Sequence, residues 1–125
     1  MVVYSDQIAT STSEATTMTA MTGSPYSPLL DGRLIQLRLY CGGDAVTSLW
    51  EIVTIKLESS KWGIPVYVSA TGSNIRTAPA VPTPVGVMNC DLPVFTGVQI
   101  TAQIQHLTSG TPITFNAQLL GVFRG

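Results

Sequence analysis

The last third of the chain contains the stretch Val98-Gln-Ile-Thr-Ala-Gln-Ile-Gln105, in which apolar and polar residues alternate without a break. A second alternating run, Ile113-Thr-Phe-Asn-Ala-Gln-Leu119, follows after a short loop that contains Gly110. Because successive side chains of a β-strand point to opposite faces, this period of two is typical of strands with one buried face. We therefore predict two strands joined as a β-hairpin, with a bulge where the alternation slips at Gly121.

Similar runs occur earlier in the chain, and turn-forming residues separate them. A proline at position 65 places one of these runs at a sheet edge or at a strand start. The count is about eight strands without a convincing helix, which predicts an all-β fold, an antiparallel β-sandwich of jelly-roll-like type. The earlier predicted strands are Arg33–Tyr40, Ser48–Leu57, Ile64–Ser69, Asn74–Thr77, Val85–Met88 and Pro93–Phe95.

The N-terminal segment, Ser5–Ser24, is rich in Ser, Thr and Ala. Its residues 11–14 match a helix capping box, but the threonines that follow make a poor helix. Two prolines at positions 25 and 28 then interrupt any regular secondary structure. We predict an extended N-terminal arm over residues 1–28, either ordered by contact with another molecule or a floppy tail, followed by a sandwich domain over residues 29–125. Deletion of residues 1–24 is then expected to leave the sandwich folded and to weaken assembly.

Charged residues make up 10% of the chain, against about 25% in typical soluble domains. Such a surface belongs either to a soluble monomer with a Ser/Thr-rich coat or to a protein whose surface is covered by other subunits. The six basic residues are scattered singly, so nucleic acid is not the expected partner. We expect neither a secretory signal nor a membrane-spanning segment, because no long apolar run is present.

The residues that catalysis requires are scarce in this sequence. His106 is the only histidine, and most of the seven acidic residues lie at predicted turns or loops. No spacing of carboxylates, cysteines or glycines matches a metal site, a glycosidase pair or a phosphate loop. Cys41 and Cys90 are either two free thiols or a single disulfide pair. We therefore predict that the protein is not an enzyme and that it has no cofactor.

Four residues are candidates for contacts with a partner: Trp62, Tyr67, Met18 and Met21. The indole of Trp62 follows a polar loop, so it either stacks on a sugar or anchors a protein interface, or else it caps one end of the core. Trp50 is expected in the core. The predicted last strands carry a polar, uncharged face formed by Gln99, Gln103, Gln105, Asn116 and Gln118.

The Thr/Ser-rich segment Ser5–Ser24, the low charge, the connection Ala78-Pro-Ala-Val-Pro-Thr-Pro84 and the final hairpin together resemble small all-β structural proteins of viruses. These are minor capsid, decoration or single jelly-roll capsid subunits. The resemblance implies a protein of the virion that assembles with copies of itself or with other capsid proteins. A carbohydrate-binding, lectin-like module that uses Trp62, Tyr67 and the amide side chains is the alternative, and a subunit of a surface filament or adhesin is a third possibility.

Overall fold

The computed structural model describes residues 2–11, 17–43, 51–72, 84–108 and 115–125. The predicted strand at 74–77, Trp50 and most of the proline-rich connection lie outside these residues. All the regular elements within the described ranges are β-strands. They are β1 (Val3–Ser11), β2 (Thr19–Ala20), β3 (Gly32–Gly43), β4 (Glu51–Glu58), β5 (Val66–Gly72), β6 (Gly86–Val94), β7 (Thr101–Thr108) and β8 (Phe115–Arg124).

The eight strands form two antiparallel sheets of four strands each. Sheet I has the order β1-β8-β3-β6, and sheet II has the order β2-β7-β4-β5. The strands pair as one long hairpin would, first with last and third with sixth in sheet I, and second with seventh and fourth with fifth in sheet II. A long hairpin wrapped so that its successive pairs alternate between two sheets is a jelly roll. The predicted all-β sandwich is confirmed.

The core lies between the sheets and consists of the apolar half of each alternating run. Both sheets contribute side chains that are completely shielded from water, as the period-two pattern predicts. The largest of these side chains are Phe123, Ile8, Leu34, Leu37, Leu39, Ile55, Leu57, Ile100, Ile104 and Leu119.

The predicted N-terminal arm has a different place in the structure. Its residues Val3–Ser11 form β1, which pairs with β8, and Thr19–Ala20 form β2, which pairs with β7. Ile8, Ala9 and Met21 are buried in the core. The described part of residues 1–28 is therefore built into the sandwich of its own chain, so the expected boundary at residue 28 does not separate an arm from a domain. The threonines that disfavour a helix are compatible with strands.

The predicted C-terminal hairpin is wrong, although both of its strands exist. β7 pairs with β4 and β2 in sheet II, whereas β8 pairs with β1 and β3 in sheet I. Alternation identifies a strand with one buried face, but two such strands can cover the same core from opposite sides. The chain crosses from one sheet to the other between them.

A second correction concerns β6, which is one strand where two short ones were predicted. Asn89 and Asp91 do not interrupt it, because their side chains lie on the outer face and bond to Gln36 and Arg33 of β3. Pro93 is tolerated because β6 is an edge strand with a neighbour on one side only.

The predicted bulge at Gly121 is also corrected. Gly121 stays in register with Asp6 and Leu37, and the extra residues are Ile8 in β1 and Ile35 in β3. Gly121 occupies an inward position, and a Cβ atom there would lie 2.7 Å from the Phe123 ring and 2.8 Å from Ile8 Cδ1. The glycine is therefore required by close packing and does not mark a break in the strand.

Candidate interaction surfaces

Trp62 lies in the turn between β4 and β5, where its side chain is only 9% exposed. The indole N–H donates to the carbonyl oxygen of Pro93 at 2.8 Å, which ties this turn to the edge of the opposite sheet. Trp62 therefore caps one end of the core, which is one of the alternatives that the sequence left open. Its buried faces leave no open platform on which a sugar could stack.

The other three candidate contact residues are not brought together with Trp62. Met21 is buried in the core, and its backbone N–H donates to Ala102 O at 3.0 Å. Met18 is partly exposed just before β2. Tyr67 lies on the outer face of sheet II opposite Lys56, and half of its side chain is exposed. The four residues thus form no common site.

Nine large apolar side chains are exposed among the described residues, and the sequence alone does not indicate that most of them lie together. Six of them lie at the end of the sandwich that contains the residue 2–3 segment and the turns before β3, before β5 and after β6. Leu29 is 62% exposed and Ile64 is 75% exposed. We call this region the apolar end, and it consists of Val2, Val3, Leu29, Leu30, Ile64 and Phe95.

Short-range contacts hold the segments of the apolar end together. Val2 and Gly125 exchange two backbone hydrogen bonds, of 3.3 and 2.7 Å, and Leu30 packs closely over Gly125. The carboxylate of Asp31 accepts hydrogen bonds from the backbone N–H of Thr96 at 2.8 Å and from its hydroxyl at 3.0 Å. These bonds fix the turn that carries Leu29 beside the turn that carries Phe95.

An aromatic cluster lies directly beneath the apolar end. The rings of Tyr4 and Tyr26 stack near Phe123, with centroid distances of 5.3 and 5.8 Å. The Tyr26 hydroxyl donates to Asp6 Oδ2 at 2.6 Å. Burial, followed by this contact with Asp6, raises the pKa of Tyr26, so the phenol stays protonated and can donate. The segment before β3 is thereby anchored to β1.

The outer face of sheet I carries polar side chains that bond to one another within β3 and between β3 and β6. Gln36 donates to Asn89 at 2.8 Å and accepts from Arg38 Nε at 2.6 Å, while Arg33 pairs with Asp91. Exposed ion pairs of this kind contribute little stability, about 0–1 kcal/mol. These contacts occupy the charged groups of Arg33, Arg38 and Asp91.

A shallow depression of about 330 Å³ lies on the same face, where β1, β8 and β3 run side by side. We call it the amide depression. Its outward side chains are neutral, and one hydrogen bond of 2.8 Å joins the amides of Gln118 and Gln7 across it. The residues that line it include Gln7, Thr10, Tyr40, Gly42, Asn116 and Gln118.

Cys41 and Cys90 do not form a disulfide bond with each other. Cys41 is buried, and Cys90 is half-buried with its S–H directed at Leu34 O at 3.4 Å. Burial, and secondly the charge of Asp91, raises the pKa of the Cys90 thiol to about 11. Because the thiolate is the reactive form, Cys90 is a poor nucleophile near neutral pH.

No cluster of three or more His, Cys, Asp or Glu side chains suited to a metal ion occurs among the described residues. Over the same residues, no helix has the length and apolar character needed to cross a membrane. Over the described residues, the notable surface features are the apolar end, the hydrogen-bonded side chains on the outer face of sheet I and the amide depression.

The described residues form a jelly-roll sandwich with a group of exposed apolar side chains at one end. No protein-family model matches the chain, and no curated protein matches it. Among solved structures, the chain is similar to one described as the structure of infectious bursal disease virus Gx strain. The identity is 16%, the TM-score is 0.47, and the match covers 98% of this chain and 32% of the other. This chain thus spans about a third of the length of that protein.

Proposed function

We propose that the chain is a structural protein of a virus particle that assembles with copies of itself or with other coat proteins through the apolar end. The observation that carries the proposal is the grouping of six exposed large apolar side chains at one end of the sandwich, outside its buried core. Single exposed apolar residues are ordinary, but a group of them marks an interaction surface.

The energetics of the apolar end favour association. Fully burying one Leu, Ile or Phe side chain contributes about 1.5–3 kcal/mol, so covering several of them would stabilise a contact between subunits. The carboxylate of Asp31, the residue after Leu30, already accepts two hydrogen bonds from Thr96. Covering the apolar end therefore leaves that charge with partners, which limits the desolvation cost.

The apolar end is also held in place before any partner arrives. Tyr26 anchors the segment before β3 to Asp6, and Trp62 anchors the turn before β5 to Pro93. A surface that is ordered in the free protein loses less conformational entropy on binding, so more of the burial energy remains as affinity. The low total charge also reduces repulsion between neighbouring copies.

Assignment to a virus particle in particular rests on the resemblance in sequence and on fold analogy, since jelly rolls occur in both viral capsid and lectin domains. The lectin-like alternative rests on the sandwich pattern, on the amide side chains and on one aromatic pair, Trp62 and Tyr67. With the indole of Trp62 buried and bonded to Pro93, no observation favours sugar binding by that pair.

The proposal is tested by light scattering over a concentration series, followed by electron microscopy of the same sample. The wild-type chain is expected to form a defined oligomer or a closed particle. The double variant Leu29→Ser, Ile64→Ser should shift the population toward monomer while unfolding at nearly the same temperature, because both side chains are mostly exposed.

The matched control is Val87→Ser. Val87 is 54% exposed but lies on the outer face of sheet I, opposite Arg38 and away from the apolar end. Its loss should leave the assembly unchanged. A wild-type chain that stays monomeric at every concentration would contradict self-assembly, and equal effects of the two sets of substitutions would contradict the role of the apolar end.

A further inference from the structure

We infer that the amide depression on sheet I is a binding site for an uncharged saccharide. The inference goes beyond the proposed assembly role and does not depend on it, because the amide depression and the apolar end lie on different parts of the sandwich. The volume of about 330 Å³ falls near the lower end of the range for small-molecule sites, roughly 300–1,000 Å³.

The strands create the amide depression through one missing side chain and one extra residue. Gly42 of β3 is paired with Asn116 of β8, so the floor at this point has no side chain on the β3 side. In β1, the extra residue Ile8 changes the register, so Gln7 and Thr10 pair with Leu120 and Gln118 of β8. Both therefore lie on the outer face and form one wall.

The polar groups of the amide depression suit hydroxyl groups of a ligand. The Gln118 side-chain N–H donates to Gln7 Oε1 at 2.8 Å, which orients both amides toward each other. Each amide carries two N–H donors and a carbonyl oxygen that accepts, so this bond uses one of four donors. The pair can still both donate and accept, and a saccharide hydroxyl requires both.

The lining also explains why the ligand should be uncharged. Apart from Gly42, which has no side chain, these lining residues carry five side chains, and none of them is charged at neutral pH. Arg38, the next outward residue of β3, directs its Nε–H to Gln36 at 2.6 Å. Tyr40 supplies a partly exposed ring, and the apolar face of such a ring packs against the C–H groups of a pyranose.

The test is saturation-transfer difference NMR on the full chain, a method that also works if the protein assembles. The probes are lactose, mannose and N-acetylglucosamine, with sialyllactose as the charged comparison. We expect transfer to at least one neutral sugar with millimolar affinity, since the amide depression is shallow and leaves much of a ligand in water. Gln118→Ala should weaken binding about ten-fold, the loss of roughly one hydrogen bond.

Gln99→Ala is the matched control, because Gln99 is an exposed amide beside Ile100 at the other end of the sandwich. It should bind as the wild type does, and Tyr40→Ser should bind more weakly. Absence of transfer to all three neutral sugars at millimolar concentrations would overturn the inference. Transfer to sialyllactose alone, or binding unchanged by Gln118→Ala and Tyr40→Ser, would overturn it equally.

Discussion

The interior of the sandwich and its apolar end use the same kinds of residue in opposite ways. Leu37 and Leu39 of β3 are completely shielded, and each occupies one step of a regular alternation. Leu29 and Leu30, only a few positions earlier in the chain, are 62% and 45% exposed. Leu29 and Leu30 belong to no strand, so no second sheet covers them.

The difference separates residues that the fold requires from residues that it does not. Interior side chains contribute to stability by leaving water during folding. The side chains of the apolar end gain much less from folding, because most of them remain in water afterwards. Their presence in an ordered region is therefore better explained by a contact made after folding than by the stability of the monomer.

The largest effect is expected from deletion of residues 1–24, which the sequence analysis expected the sandwich to tolerate. The deletion removes β1 and β2 and takes Ile8, Ala9 and Met21 from the core. It also leaves β8 without its neighbour on one side. We expect loss of cooperative thermal unfolding by circular dichroism and loss of dispersion in the amide NMR spectrum.

Deletion of residues 1–2 alone is the control, because it removes only the backbone bonds between Val2 and Gly125 and part of the apolar end. That shorter chain should unfold cooperatively. If the chain lacking residues 1–24 kept a cooperative transition near the wild-type temperature, the N-terminal strands would not be part of the stable fold.

A pair of matched substitutions compares a buried leucine of the interior with an exposed leucine of the apolar end. Leu37→Ala should lower the free energy of unfolding by about 2–5 kcal/mol, because it removes a fully buried side chain and leaves a cavity. Leu29→Ala should change it by less than about 0.5 kcal/mol. Both changes in the free energy of unfolding can be measured by urea unfolding at a protein concentration low enough to keep the chain monomeric. Equal losses would mean that the apolar end supports the fold.

The sequence predicted the strands better than their partners. Alternation in Ile35–Leu39, Val53–Leu57 and Val98–Gln105 located β3, β4 and β7, because a half-buried strand produces this pattern wherever it lies. Pairing depends on which buried faces meet, and a local pattern does not contain that information. For this reason β7 and β8 were predicted as one hairpin, although they lie in opposite sheets.

Polar composition misled the interpretation of the N-terminal segment. Ser5, Gln7 and Thr10 are the outward residues of a strand, but without a long apolar alternation they resembled an unstructured arm. The candidate site was harder to predict. Trp62 carries both an apolar ring and a donor, and only the position of Pro93 O in space shows that the donor is used internally. The apolar end combines separate turns, so it has no signature in any one stretch.

A smaller effect than that of Leu37→Ala is expected from overpacking the interior beside β8. Gly121→Ala would place a Cβ atom 2.7 Å from the Phe123 ring and 2.8 Å from Ile8 Cδ1. Overpacking of this kind costs about 1–3 kcal/mol in the free energy of unfolding.

A second substitution tests whether the clash is the cause of that loss. Ile8→Val alone destabilises by about 0.5–1.5 kcal/mol. It also removes the Cδ1 atom that the new methyl group would strike, so adding it to Gly121→Ala should restore part of the loss. Urea unfolding of the wild type, both single variants and the double variant measures this coupling. Strictly additive losses would mean that the backbone of β8 moves to accept the methyl group, and that the interior is less rigid than its packing indicates.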